Sequence, residues 1–484
     1  MSEMKARIAR ASLAQGVTAL IGKATNMVLA IALARLLFPE DYGLFTITLV
    51  VTGLANMLSH FGFQSYIIQA KELTTEAINT CYTLNLGFSI VLGLVVAGVG
   101  LAWSDPPPLL PVMLCMYALL VFLSGLTYIE LALMKRDLDF TRSSRADLSF
   151  TLVSMSGRVG FAAAGLGALC FPLGDVLGGL VRFVLVRRMS KARLKLAMPS
   201  RTISGEALWF GMHATSVGLA SFVANQSDKV LITANHPVAA VGLYGFGSNT
   251  AAMFYNAFII PQTSVFQATF ARLRDDLDEA RRVLGVATRL IFSTALPLNV
   301  LWLLEAERLL LAIFGPRWVE AAPLIQVFAI DYLVRSMFSG ITGLQMSFGL
   351  ASEAARTKWA NALVFVIFLL AATWIGTAIV GYAIAYVSAN VVATAHNLHV
   401  NGRLLQLRWG AYALNLLPPA LIALASTGVW WLARPYLAAL PLWPAVGALA
   451  GAWLGTYLLL TIGFNRMVFT TMLGALRKKT KRAS

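Results

Sequence analysis

Charge is scarce in this sequence: only 12% of its 484 residues are Asp, Glu, Lys or Arg. A soluble domain carries charged side chains at roughly a quarter of its positions, so this composition excludes a soluble globular protein. Cysteine is nearly absent too. Cys81, Cys115 and Cys170 stand alone within or at the ends of apolar runs. They lack CxxC or metal-ligand spacing, so packing is their expected role and no metal site is expected. Enzyme signatures are missing: there is no GxSxG, HExxH or P-loop, and the loops are too short for an extramembrane catalytic domain. A chain without a P-loop is not expected to hydrolyse ATP, and nothing calls for a cofactor. Alternating ten-residue segments, the mark of a transmembrane β-barrel, are also missing, as Val91 to Gly100 and Asn361 to Ala372 illustrate.

What the sequence has is apolar length. Hydrophobic residues make up 58% of it, and the mean hydropathy is +0.73. Runs of about 20 apolar residues recur, each long enough as a helix to cross roughly 30 Å of hydrocarbon. The expected spans are 12–36, 42–65, 77–102, 109–133, 146–167, 169–186, 207–233, 241–270, 284–313, 322–350, 358–376, 378–401, 411–433 and 441–465. The basic start (Lys5, Arg7, Arg10) leads into the first span rather than into a cleaved signal peptide. The fold class is an all-α integral membrane protein of about 14 transmembrane helices.

The net charge of +16 does not point to nucleic acid, because its placement follows a membrane rule. Basic residues fall in alternate gaps between spans: Lys71; Lys135 to Arg145; Arg187 to Arg201; Arg272 to Arg282; Arg356 and Lys358; Arg403 and Arg408; and the tail from Arg477 to Arg482. The opposite gaps hold chiefly Arg35, Arg308, Arg317 and Arg434. Loops rich in Lys and Arg stay cytoplasmic, so both termini are expected there. The basic stretch near the midpoint suggests a six-helix lobe at 1–190, a linker at 191–205, a second six-helix lobe at 206–405, and two further helices with a basic tail at 406–484.

The two halves resemble each other. Asn26 precedes Pro39 and Gly43-Leu-Phe; Asn225 precedes Pro237 and Gly242-Leu-Tyr, with the Asn-to-Gly spacing unchanged. Two lobes of parallel orientation place a substrate path at their interface. At these residues, and at Phe61-Gly-Phe-Gln-Ser-Tyr-Ile-Ile-Gln and Lys135-Arg-Asp-Leu-Asp-Phe140, the sequence resembles the polysaccharide transporter branch, with its Wzx-type flippases, of the multidrug/oligosaccharidyl-lipid/polysaccharide superfamily. The resemblance implies a fold like that of the multidrug (MATE) transporters. It also implies movement of an undecaprenyl-diphosphate-linked oligosaccharide, such as an O-antigen, exopolysaccharide or capsule unit, between leaflets of the bacterial inner membrane. Its partners would be that lipid-linked oligosaccharide, membrane lipids, and polysaccharide polymerase and export components.

A polar head group needs a hydrated path, so ionisable residues inside spans are the candidate substrate contacts. Lys23, Arg158, Lys229 and Arg335 are the candidate cations, with Asp331 beside Arg335 and with Asn26 and Asn225 as polar lining. Each has a structural alternative. Lys23 can snorkel, and Lys229 can sit at the interface beside Asp228. Asp175 can pair with Arg158 or Arg182, and Asp331 with Arg335 at i, i+4. Asn56, Asn85, Asn249 and Asn256 suit helix-to-helix hydrogen bonds. The scattered His60, His213, His396 and His399 have no cysteine or acidic partner nearby, which argues against a metal. A drug/cation antiporter of the same superfamily would want bare carboxylates deep in the membrane, for which Asp175, Asp228 and Asp331 are the candidates. A peptidoglycan-precursor flippase fits the Arg35 to Gly43 hairpin less well, and a glycan polymerase or ligase would carry a large periplasmic loop.

Overall fold

The computed structural model describes residues 22, 25–70, 72–192, 194–270, 273, 276–339, 348 and 350–465. Lys23 and the basic residues of both termini lie outside the described residues. Among these the regular elements are helices alone. In chain order they are α1 (Thr25–Leu36), α2 (Pro39–His60), α3 (Phe63–Gln69), α4 (Thr75–Ala102), α5 (Leu110–Arg136), α6 (Phe140–Ala163), α7 (Cys170–Met189), α8 (Arg201–Asn235) and α9 (Val238–Phe254). There follow α10 (Ile260–Phe270), α11 (Leu277–Ile313), α12 (Ala322–Phe338), α13 (Ala351–Ile375), α14 (Ile379–Leu404), α15 (Trp409–Leu437) and α16 (Leu442–Phe464).

Local chemistry sets the ends of these helices. Pro39 opens α2 at a position where its missing N–H costs nothing, and the Asp41 carboxylate accepts the Phe38 N–H at 3.0 Å. Thr74, Asp139 and Asp276 cap α4, α6 and α11 by accepting the N–H of Ala77, Arg142 and Glu279. Gly376 ends α13 at φ +70°, a left-handed residue that glycine adopts without a side-chain clash. Phe61 and Gly62 are both left-handed and separate α2 from α3.

Among the described residues, eleven helical stretches are long and apolar enough to cross a membrane, and the chain is a multi-pass membrane protein. Three expected spans fall short of that measure, each for a visible reason. Of the first, only Gly22 and Thr25–Leu36 are described. The fifth, α6, carries Arg142, Arg145, Asp147 and Arg158. The expected run 241–270 is broken by a π-helical turn at Tyr255–Ile259. In addition, α12 ends at Phe338, short of the expected 350.

The chain packs as two compact units, one up to Gly245 and one from Phe246. Within the first, α6 pairs with α7, α4 with α5, and α8 lies along α2, α3 and α4. Phe63, Ile67, Cys81, Ile129 and Ala207 form its principal apolar core. Within the second, α11 packs on α12, α15 and α16, and α14 packs on α12 and α13. The two last helices are joined to α11 by Phe292, Leu296, Trp430, Leu449 and Trp453.

Candidate functional site

Five carboxylates are buried among the described residues: Glu130, Asp175, Asp228, Glu305 and Asp331. Burying a charge without a partner is prohibitive in a low-dielectric interior. Each of the five has a cation within ion-pair distance: Arg187, Arg158, Lys229, Arg308 and Arg335 respectively.

Asp175 is the most heavily bonded. Arg158 grips it with both arms, Nε to Oδ1 at 3.0 Å and Nη2 to Oδ2 at 2.6 Å. Tyr117 donates its hydroxyl at 2.7 Å, and Ser154 donates to Oδ1. The guanidinium lies beside the stacked rings of Phe45 and Phe171, at 5.0 and 5.5 Å from their centroids. A bidentate pair of this kind is the strongest arginine–carboxylate geometry. Gly174 makes the approach possible, because a side chain there would collide with the Arg158 backbone and Cγ. Of the two arginines open to Asp175 in the sequence, Arg182 turns elsewhere, to Asp147 at 3.3 Å and the ring of Phe150.

In the second unit, Arg335 Nε donates to Asp331 at 2.7 Å and Nη2 to the Tyr386 hydroxyl at 2.9 Å. Asn390 donates to the other oxygen of Asp331 at 2.5 Å. The i, i+4 spacing on α12 brings the pair together as expected.

Asp228 accepts the Tyr244 hydroxyl at 2.9 Å and faces Lys229 Nζ at 3.5 Å. Lys229 also donates to the Asn225 carbonyl at 3.2 Å. Thus Lys229, Asp228 and Asn225 form one group, although the exposed Asn225 amide itself turns back to the Ser221 carbonyl. Asn26 lies on α1 with its Oδ1 buried and without a partner among the described residues. Polar residues of α2, α4 and α5 bond helix to helix: Ser124 on α5 donates to Asn56 on α2 at 3.3 Å, and Asn85 on α4 donates to the Gly125 carbonyl of α5 at 2.8 Å. His60 is stacked on Tyr128, and His396 meets Asn361 at 3.1 Å. No group of three His, Cys, Asp or Glu is placed to hold a metal among the described residues.

Two ion-pair groups were not legible in the sequence. Arg187 donates to Glu130 at 2.9 Å and to the Tyr82 hydroxyl at 3.0 Å. Glu305 accepts from Arg308 at 3.1 Å and from the Trp430 indole at 3.1 Å. An acidic residue inside an apolar run is the signal that would have found both.

The two hairpins that resemble each other in sequence also touch, within the first unit. A side chain on Gly43 would strike the Val238 carbonyl, and one on Gly242 would strike the Pro39 carbonyl. The contact is reciprocal: residue 43 meets 238, and residue 242 meets 39, at the same offset of four. Self-complementary contacts of this form are what a two-fold relation produces. At the other end of α2, Gly62 lies against the Gly211 backbone of α8, and a side chain on Gly211 would strike the Phe61 carbonyl. Small residues let the helices approach closely at both ends.

A family model described as "Polysaccharide biosynthesis protein" matches residues 32–323. Among curated proteins, the chain is 27% identical over 334 residues to the lipopolysaccharide biosynthesis protein WzxC of Escherichia coli (strain K12), covering 65% of each. It is 25% identical over 309 residues to the succinoglycan biosynthesis transport protein ExoT of Rhizobium meliloti (strain 1021), covering 62% of this chain and 61% of that protein. The chain therefore spans a little under two thirds of the length of these relatives. Among solved structures it superposes on the lipid II flippase MurJ in an inward closed conformation, with a TM-score of 0.72 at 10% identity over 95% of this chain and 99% of that one. It superposes likewise on an inward-facing multidrug resistance MATE family transporter, with a TM-score of 0.63 at 13% identity over 81% of this chain and 98% of that one. The fold is thus the one those two transporters share.

Proposed function

The chain belongs to the polysaccharide biosynthesis protein family, and from that premise we propose that it is a flippase for undecaprenyl-diphosphate-linked oligosaccharide. It moves the O-antigen, exopolysaccharide or capsule repeat unit from the cytoplasmic to the periplasmic leaflet of the inner membrane by alternating access. Two six-helix lobes carry out the exchange, and the hairpins at Pro39–Gly43 and Val238–Gly242 are their equivalent tips. Both termini are cytoplasmic. Polymerase and export components receive the delivered unit.

The observation that carries this reading over a drug/cation antiporter is the pairing of all five described buried carboxylates with arginine or lysine. No bare acid is left among them to bind a metal cation or a cationic drug. An anionic diphosphate instead needs cations that offset its desolvation. Lys23, Lys229, Arg158 and Arg335 are the groups proposed to meet it, with Asn26 and Asn225 as polar lining and Asp331 holding Arg335 in place. Arginine binds a phosphate through two N–H groups, and lysine acts as a point charge.

The test is complementation. In a strain deleted for its flippase, this chain restores surface glycan, and Lys23→Ala inserts normally but exports little while Lys23→Arg keeps part of the activity. Full export by Lys23→Ala, Arg158→Ala, Lys229→Ala and Arg335→Ala alike would remove the cationic path from the account.

A further inference from the structure

A cavity of about 500 Å3 lies in the second unit, where α11 and α15 begin, lined by Asp278, Arg281, Leu284, Leu407, Arg408 and Tyr412 among others. It is separate from every ion-pair group described above. Its charges are arranged unusually. The Arg281 guanidinium is fixed by three acceptors: the Leu405 carbonyl at 2.6 Å, Asp278 at 2.5 Å, and the Gln406 side chain at 3.3 Å. Asp278 is consumed by that pair, and Glu279 by Arg282 at 2.8 Å. Arg408 makes no ion pair among the described residues and is exposed.

Arg408 is also the N-cap residue of α15, and no side chain caps that helix start. A helix N-terminus carries a partial positive charge and favours an anion, typically Asp or Glu. Here a second positive charge stands where a negative one belongs, with Arg281 across the cavity. An anion between them removes the mismatch. Gly410, in the first turn, has open space where a Cβ would stand, so no side chain crowds that side of the turn.

The surroundings say what kind of anion fits. Leu284 and Leu407 make part of the lining apolar, over a core that includes Phe270, Ala280 and Leu405. Trp409, about half exposed, follows Arg408 directly, and the membrane-crossing stretch Tyr412–Leu437 begins three residues later. Tryptophan marks the head-group level of a bilayer. We infer that this cavity binds the phosphate of a membrane lipid, with Arg408, Arg281 and the uncapped first turn of α15 as donors and the lipid chain left in the adjoining leaflet. That leaflet is the cytoplasmic one on the topology proposed above; phosphate recognition itself does not depend on that topology or on transport.

The full chain in nanodiscs tests this by native mass spectrometry and competition, with three probes: phosphatidylglycerol, farnesyl diphosphate and inorganic pyrophosphate. Both lipids are expected to bind the wild type better than phosphatidylcholine does. Arg408→Gln should weaken them about tenfold, the worth of one charged hydrogen bond, while Arg356→Gln, an exposed pair with Glu353 elsewhere on the chain, should not. Farnesyl diphosphate displacing phosphatidylglycerol would identify the site as one for prenyl diphosphates. Equal competition would identify it as a site for ordinary anionic phospholipid. Unchanged lipid binding in folded Arg408→Gln, or pyrophosphate binding as tightly as the lipids, would overturn the inference. Export is measured separately in the deletion strain, so failure of the flippase reading leaves the binding result intact.

Discussion

Asp175 shows what a carboxylate requires to stay charged inside a membrane protein: two arms of one arginine, a tyrosine hydroxyl and a serine hydroxyl. Removing one partner of such a pair leaves a buried charge uncompensated, at a cost of about 3–5 kcal/mol, whereas replacing both with apolar groups is far milder. Arg158→Ala should therefore lower the melting temperature in detergent sharply, and Arg158→Leu combined with Asp175→Leu should recover most of the loss. An Arg158→Ala protein that is as stable as the wild type yet inactive in export would show that Arg158 serves the substrate alone and does not hold α6 against α7. The Asp331–Arg335 pair was legible in the sequence because both residues sit on one helix four positions apart. The choice of Arg158 over Arg182 for Asp175 was not, because it depends on how α6 lies against α7. Glu305 and Trp430 are 125 residues apart, beyond any local rule.

At the scale of elements, the crossing of α2 with α8 and with the start of α9 is what the proposed alternating access has to rearrange. Leucine at Gly43 or Gly242 would push a side chain into a facing carbonyl. Overpacking of this kind costs about 1–3 kcal/mol, and it bears directly on closure of the two hairpins. Gly43→Leu and Gly242→Leu should each abolish export while inserting at near-normal levels, and Gly43→Ala should be milder; normal export by both leucine variants would show that the hairpins need not close. A disulfide offers the converse test. Met57 lies beside Gly218, with Sδ 3.4 Å from the position of a Cβ there. With the three native cysteines replaced by alanine, Met57→Cys combined with Gly218→Cys should lose export on oxidation and regain it on reduction. Full export in the oxidised state would mean that α2 and α8 do not separate during transport. Proline and glycine at the hairpins, read as punctuation, suggest the proposed repeat. That the two hairpins meet was not readable, because the sequence gives spacing along the chain and not which backbones touch.

At the scale of the whole molecule, the long apolar runs located most helices well, because a run that must cross hydrocarbon has no freedom in length or composition. Among the described residues the departures lie at the charges of α6, at the π turn in the run expected at 241–270, and at the end of α12. Orientation rests on the alternating basic loops. Reporter fusions after Arg145, Arg201, Arg282 and Arg403 should report cytoplasm, and fusions near Asp105 and Pro316 should report periplasm; two reversed sites would undo the topology. The central claim is that this chain itself moves a lipid-linked glycan across a bilayer. The measurement that addresses it most directly uses proteoliposomes containing the purified chain and a fluorescent undecaprenyl-diphosphate oligosaccharide, with a quencher that does not cross the membrane. The account predicts that the label protected in the inner leaflet becomes quenchable on a timescale set by the protein, and that Lys23→Ala slows this. Protected label that stays protected, as in liposomes without protein, would contradict it.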